Sequence, residues 1–247
     1  MRSAVKALLK ESHLLGPARE LRDACVKLRY ELTRKDAEVV ERYMLRQGQK
    51  KLHIGCGENI IEGWLNADLV ATSSQVAQLD ATKTYPFADG TFDYIFSEHM
   101  IEHITYEEGQ SLLKECFRVL KEGGKIRLST PDLAFLIDLY HEDKSELQQR
   151  YIDWSASTFI PDAPRRSDTF VINNFVRAWD HTFIYDEKTL RGALQSAGFA
   201  NIVRRELNES EDLAFRNLEN EGRMPEGFLR LESFTLEATK RRAFVVR

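Results

Sequence analysis

Gly55, Cys56 and Gly57 close a short apolar run, and an acid, Asp68, follows thirteen positions after the first glycine. A strand that ends in Gly-x-Gly lets the backbone pass close to a ligand, because glycine carries no side chain. Amides at such a turn can face a polar or anionic group. An acid at the tip of the next strand can accept hydrogen bonds from ribose hydroxyls. Gly55, Gly57 and Asp68 therefore fit an adenosine-type cofactor, although Gly-x-Gly alone fits a tight turn equally well.

The spacing narrows the choice. A dinucleotide fingerprint places a third glycine three residues after the second and an acid about 20 residues on. Here Ile60 holds the glycine position and the acid comes early. Only Glu58 to Gly63 separate the glycines from Trp64, which is fewer than two helical turns at about 3.6 residues each. The helix that would face a pyrophosphate is nearly absent. A ligand without a pyrophosphate fits better, and a nicotinamide oxidoreductase is disfavoured.

The elements that must position these residues alternate. Strand candidates are Leu52 to Cys56, Trp64 to Leu69, Val76 to Asp80 and Phe92 to Phe96, with Asp89-Gly90 as a turn. Leu112, Leu113, Cys116, Phe117 and Leu120 form a helical stripe, with Gly123-Gly124 as its expected stop. A fifth strand carries Ile126 and Leu128 and ends at Thr130-Pro131. A helix capped by Asp186 and closed by Gly198 leads to a sixth strand, Phe199 to Leu207, and Glu232 to Lys240 is a seventh. Strands spaced by helices argue for an α/β fold, a parallel sheet covered on both faces. The rhythm breaks between about Lys144 and Asp180, where Tyr151, Trp154, Phe159, Phe170, Phe175 and Trp179 crowd with Pro161 and Pro164. An insert of that kind reads as a lid or binding loop, or as a small core of its own. Arg165, Arg166 and Arg177 are candidates to hold a phosphate or carboxylate, or are solvated charge.

Composition sets the outer limits. The 247 residues are 43% hydrophobic, which suits one domain with additions. No stretch approaches the roughly 18 apolar residues of a membrane span, and the N-terminus does not read as a signal peptide. Cys25, Cys56 and Cys116 are far apart, so neither a disulfide framework nor structural zinc is expected, and a reducing cytoplasm is. Residues 1–51 hold thirteen Lys/Arg against seven Asp/Glu in a chain of net charge −4. Such a basic arm could touch nucleic acid or an anionic surface, or be a solvated helical face. Residues 1–48 read as two or three helices, through Leu21, Ala24, Cys25 and Leu28 and then Val39, Val40, Tyr43 and Met44. They are expected to pack on the domain or to pair two copies as a homodimer.

The segments HIGCGENIIEGWLNADL, QLDATKTYPFADGTFDYIFSEHMIEHI, ECFRVLKEGGKIRLSTPDL and DHTFIYDEKTLRGALQSAGF resemble class I S-adenosylmethionine-dependent methyltransferases. Within that superfamily they resemble a bacterial group with a shortened GCG…GW-N-D start. The likeness runs from about Lys51 to Leu207, and the tail from Asn208 resembles the same group. It implies a Rossmann-like, doubly wound, seven-stranded sheet with an antiparallel last strand, and S-adenosylmethionine as cofactor. It implies that Gly55, Cys56 and Gly57 line the methionine side and that Asp68, with Leu69 beside it, takes the ribose end. Asp80 and Ala81 would meet the adenine. Ser97, Glu98 and His99 would stand beside the sulfonium.

A methyl group on a positive sulfur is already activated, so alignment is much of the task. A hydroxyl acceptor would also gain from a general base. His181 and His99 are the leading candidates, and His103, Glu98 and Asp180 follow. His99-Met-Ile-Glu102-His103 also matches H-x-x-E-H, the inverted zinc-peptidase signature. That motif needs a helix, and here it follows a strand directly, so no metal is expected. The group resembled is often tied to bacterial surface glycans, which suggests a sugar or glycan hydroxyl as acceptor. Nucleic-acid methylation through the basic arm and a catalytically inactive binding module are the alternatives.

Overall fold

The computed structural model describes residues 35–71 and 73–241. Elements are numbered from the first of these. The sheet has seven strands: β1 (Lys51–Ile54), β2 (Leu65–Asp68), β3 (Val76–Gln78), β4 (Phe92–Glu98), β5 (Leu120–Pro131), β6 (Phe199–Arg205) and β7 (Ser233–Lys240). Their order is β3-β2-β1-β4-β5-β7-β6. β1 to β5 are mutually parallel, and β7 runs antiparallel between β5 and β6. This is the Rossmann-like α/β sheet with an antiparallel last strand that the sequence leads one to expect. The winding reverses between β1 and β4, and in open α/β sheets that crevice, at the strands' carboxyl ends, is where ligands bind.

The central strands are apolar on both faces because helices cover both. Leu52, Ile54, Ile95, Phe96 and Ile126 are fully buried or nearly so. The helix α2 (Tyr106–Val119) begins at a capping box in which Thr105 and Glu108 satisfy each other's free backbone amides. It buries Leu112, Leu113 and Cys116 on the sheet. Gly123-Gly124, expected as its stop, lies instead inside β5: α2 ends at Val119 and the chain turns directly into the strand. The later helix α6 (Glu187–Ser196) is capped by Asp186, whose side chain accepts from the Thr189 amide.

The insert departs from the expected loop. α3 (Leu133–Asp138) is followed by α4 (Glu146–Phe159) and α5 (Asp168–Arg177). Ser145 and Gln148 form a second capping box, and Tyr151, Ile152, Ser155 and Ala156 are the buried stripe of α4. Tyr151, Ile152 and Ala156, together with Phe135, Val171, Phe175 and Phe228, make a core separate from that of the sheet. The helical period was hidden by aromatic residues on more than one face of α4. α7 (Phe228–Glu232) leads into β7. Of the N-terminal extension, α1 (Lys35–Met44) is described, with Val39, Val40 and Met44 against the main core and Tyr43 within it. The stripe from Leu21 to Leu28 lies outside the described residues. No helix among them is long and apolar enough to cross a membrane.

The segment between β6 and β7 is held by one buried cation. Arg127 of β5 has no solvent exposure. Its Nε donates to Glu219 (2.7 Å), and its Nη1 donates to Glu237 (2.6 Å) and to the Glu209 carbonyl (2.9 Å). Its Nη2 donates to the Glu206 carbonyl (3.1 Å). Removing one partner of a buried pair costs about 3–5 kcal/mol, because the other charge stays buried without compensation. Arg127→Ala should lose stability on that scale in denaturant unfolding. Exposed Arg216→Ala should lose far less, and equal losses would show that the buried network holds nothing in particular.

Candidate active site

At the carboxyl end of β1 the Gly55 and Cys56 amides both donate to the Ala67 carbonyl, at 2.9 and 3.1 Å. Gly55 and Gly57 have φ of 69° and 51°, which favours glycine. A Cβ on Gly55 would lie 2.3 Å from Cγ of Met100, so the glycine makes room for that side chain; at Gly57 the same position meets nothing within 4 Å. Asp68 closes the loop, accepting from the Gly57 amide (2.9 Å) and the Val70 amide (3.1 Å). Leu69 beside it is 50% exposed, an apolar surface at a polar rim. Asp80 accepts from the amide and hydroxyl of Thr82, and Ala81 packs against the main core.

β4 delivers the other side. The Ser97 hydroxyl is buried without a hydrogen-bond partner. Glu98 is buried, and its carboxylate accepts from the Asn220 amide (3.2 Å to each oxygen) and lies 3.4 Å from Arg223. The orphaned Ser97 hydroxyl, the half-buried Asp68 carboxylate and exposed Leu69 all suit a bound polar cofactor with a flat ring. Burial pushes the Cys56 thiol up to about 12, with the Asp68 charge adding to it. Cys56 is thus an inert wall of this site rather than a nucleophile.

Beyond β4 the chain lines a cavity of about 290 Å³. His99, Glu102, His103 and His181 meet there with Tyr151, Trp154, Phe159, Phe175 and Trp179. Five of the six aromatic residues singled out in the insert therefore share one wall. Arg223 and Glu232 also line it, and sequence reasoning missed both: Arg223 sits in a charged connection without periodicity, and Glu232, read as the start of the seventh strand, ends a short helix before it. Arg165, Arg166 and Arg177 are exposed and do not line it.

Three residues here hold strained backbone. Six non-glycine residues among those described have positive φ, and three of them are asparagines, which tolerate it. The others are His99 (46°), Trp179 (58°) and Asp180 (62°), all at this cavity or next to it. Such conformations persist where the surroundings impose them, and they gather at functional sites. His99 Nε2 shares a 2.7 Å hydrogen bond with Ser233, and its Nδ1 lies 3.4 Å from Glu102. His181 Nδ1 donates to the Phe175 carbonyl at 2.6 Å, which leaves its Nε2 unprotonated. Burial holds His99 well below the usual histidine range and lowers His181 as well. Burial also pushes the Glu102 carboxyl up to about 8 and that of Glu232 to about 7. Glu232 is bonded to the Tyr151 hydroxyl.

Residues 52–128 match a family model described as a methyltransferase domain. That segment holds the Gly55–Gly57 loop, Asp68 and the end of β4. A curated relative, the demethylmenaquinone methyltransferase of Clavibacter sepedonicus, is 28% identical over 150 residues. The alignment covers 58% of this chain and 54% of the relative, so the chain spans about half the length of the protein it matches. Among solved structures, a SAM-dependent methyltransferase from Archaeoglobus fulgidus overlays at TM-score 0.46 and 18% identity, covering 88% of this chain and 94% of that one. Phosphoethanolamine N-methyltransferase 2 of Haemonchus contortus, with S-adenosyl-L-methionine, overlays at 0.43 and 15%, covering 85% and 53%. A methyltransferase domain is thus what residues 52–128 are similar to, and S-adenosylmethionine is the cofactor that the descriptions of the overlaid structures carry.

Burial raises the Cys116 thiol to about 12 too. Iodoacetamide at pH 8, with peptide mapping, should leave Cys56 and Cys116 unmodified in the folded protein and modify both after denaturation. Rapid labelling of native Cys56 would mean that the glycine loop is open.

Proposed function

We propose that the chain transfers a methyl group from S-adenosylmethionine to a hydroxyl of a small ring-bearing molecule, a sugar or glycan-related compound. One observation carries this reading: the carboxyl end of β4 opens directly onto a cavity walled by five aromatic rings and three histidines. Rings of that kind cover the flat faces of a sugar or a planar ring. The cavity volume is near the lower end of small-molecule sites, about 300–1,000 Å³. A nucleic acid would need the basic arm, most of which lies outside the described residues.

Gly55, Cys56, Gly57, Asp68, Leu69, Asp80, Ala81, Ser97, Glu98 and His99 are the proposed cofactor residues. When bound, the cofactor supplies a methyl group activated on a positive sulfur. Asp68 then serves as a charged acceptor for hydroxyls, Leu69 as apolar cover, and Ser97 gains a partner. The insert helices α4 and α5 keep water from the acceptor, which favours alignment over hydrolysis. His181, neutral and with Nε2 free, is placed to take the acceptor's proton. His99 is a second candidate, tied down by Ser233.

Asp68→Ala removes a charge-assisted acceptor worth about 1.5–3 kcal/mol. Calorimetry with S-adenosylhomocysteine should show its affinity falling by roughly tenfold or more, at 1.4 kcal/mol per tenfold. Unchanged affinity would remove Asp68 from the cofactor site. His181→Ala should lower turnover at least tenfold, within the range of about 10²–10⁴ for proton transfer, and hold S-adenosylhomocysteine affinity within about twofold. A screen of radiolabelled methyl transfer over glycans, phenols and RNA supplies the acceptor for this assay. Labelling of RNA alone, or of nothing, would overturn the glycan reading.

A further inference from the structure

We propose that Glu102, His103 and His181 form a binding site for one divalent transition-metal ion, whose open positions face the aromatic cavity and hold the acceptor's oxygen. The place of the acceptor rests on the function proposed above; the ion site itself does not. A carboxylate oxygen of Glu102 and one ring nitrogen each of His103 and His181 lie within 4.8 Å of one another. Among the described residues no other group of three does so.

The arrangement is not the zinc-peptidase signature. Residues Ile101–His103 make a single 3₁₀ turn, and His99 precedes it with its ring turned toward Ser233. The helix that H-x-x-E-H needs is absent, as the sequence leads one to expect. Only the second half of the motif takes part, and its third member comes from a distant segment. Three hydrogen bonds pin the two segments together. The Thr182 and Phe183 amides donate to the Glu102 carbonyl at 2.8 and 3.1 Å, and the Thr182 hydroxyl donates to the His103 carbonyl at 3.2 Å. The ligands are therefore brought together by the fold rather than by chance of rotamer.

Glu102 supplies the second observation. Its side chain is fully buried, and Oε2 accepts from the Thr130 hydroxyl at 3.1 Å. Oε1 has no hydrogen-bond partner. His99 Nδ1 is 3.4 Å away but makes no hydrogen bond to it. A buried carboxyl oxygen left unmatched is costly and calls for an explanation such as an ion, whose binding would displace the Glu102 proton. His181 is already set as a ligand would be. Its Nδ1–H is spent on a backbone carbonyl, which fixes the tautomer and presents Nε2, the usual outer-shell arrangement of metal-binding histidines.

Bonds of about 2.0–2.2 Å would set ligand atoms roughly 3–3.5 Å apart. The cluster must tighten by about 1 Å on that scale. Two imidazoles and one carboxylate suit zinc, manganese or iron(II) and leave positions open on the other side. Arg223 is the one guanidinium in the lining, and Glu98 offsets its charge. An acceptor hydroxyl bound there would lose its proton to water more readily. Its oxygen would then form the O–CH₃ bond as the S–CH₃ bond breaks, with that electron pair left on sulfur. With the ion bound, His181 would act by holding it and the proton would go to water; without the ion, its Nε2 would take the proton as proposed above.

The test is calorimetric titration of the EDTA-treated full chain with Zn²⁺ and with Mn²⁺, beside S-adenosylhomocysteine binding and thermal unfolding. One of the ions should bind at one per chain. His103→Ala, which alters an exposed residue, and the near-isosteric Glu102→Gln should each weaken it at least tenfold, the scale on which even residues behind the ligands act. Both variants should keep wild-type S-adenosylhomocysteine affinity. Absence of saturable binding of either ion, or wild-type ion affinity in both variants, would overturn the site. If S-adenosylhomocysteine binds while neither ion does, the ion site alone fails. If the ion binds but S-adenosylhomocysteine does not, the methyltransferase reading fails instead.

Discussion

The active-site half of this molecule depends on Arg127. Its guanidinium sits inside the sheet without exposure and gathers two carboxylates and two carbonyls from three stretches of chain. Glu219, one of those carboxylates, also accepts from the Asn208 amide, and the Asn208 side chain bonds to Glu221. The next residue, Asn220, donates its amide to Glu98 at the tip of β4. Three residues further on, Arg223 reaches the same carboxylate and the cavity wall. One buried charge thus fixes the irregular connection that closes the site, through contacts a hydrophobic substitute could not make. A buried ion pair is weak evidence for stability but can specify a single arrangement, and here the arrangement specified is that of the site.

The second constraint is strain. His99, Trp179 and Asp180 adopt left-handed backbone that costs of order 1–3 kcal/mol each. The cost is met by what surrounds them: the Ser233 bond on one side, and the strand-like bonds from 182 and 183 to Glu102 on the other. Two consecutive left-handed residues turn the chain sharply out of α5 and bring His181 back beneath Phe175, whose carbonyl then fixes its tautomer. The imidazoles are therefore oriented before any ligand arrives. Preorganisation of this kind lowers the reorganisation needed at the moment of reaction.

Much of the sheet could be read from sequence because parallel strands buried on both faces are short apolar runs punctuated by glycine and capping acids. Leu52 to Ile54, Ile95-Phe96 and the Asp186 cap carry that signal locally. Asp68 was legible as an acceptor at the tip of β2, whereas its hydrogen bond to the Gly57 amide emerges only once β1 and β2 pair. The insert was not. In α4, Trp154 and Phe159 leave the buried stripe to line the cavity, so the helical period is blurred by residues that serve the site. Arg223 and Glu232 were invisible because their meaning comes from Glu98 and Tyr151, which are distant in sequence. Gly55 carries a further requirement the sequence did not show, room for the Met100 side chain, while Gly57 is open.

These differences divide the labour within the chain. The segment that matches the methyltransferase-domain model, residues 52–128, ends inside β5. Every aromatic residue of the cavity, with His181, Arg223 and Glu232, comes after it. His99, Glu102 and His103 are the matched segment's contribution to the cavity, and they stand at the border. The proposed cofactor end is therefore built from local, spacing-determined parts, while the proposed acceptor end is assembled from segments that only the tertiary fold brings together. Changing the acceptor should then require substitutions in α4, α5 and the 220–232 connection, with the glycine loop untouched. The Arg127 network anchors that connection through Glu219, next to the Asn220 amide that holds Glu98 of β4.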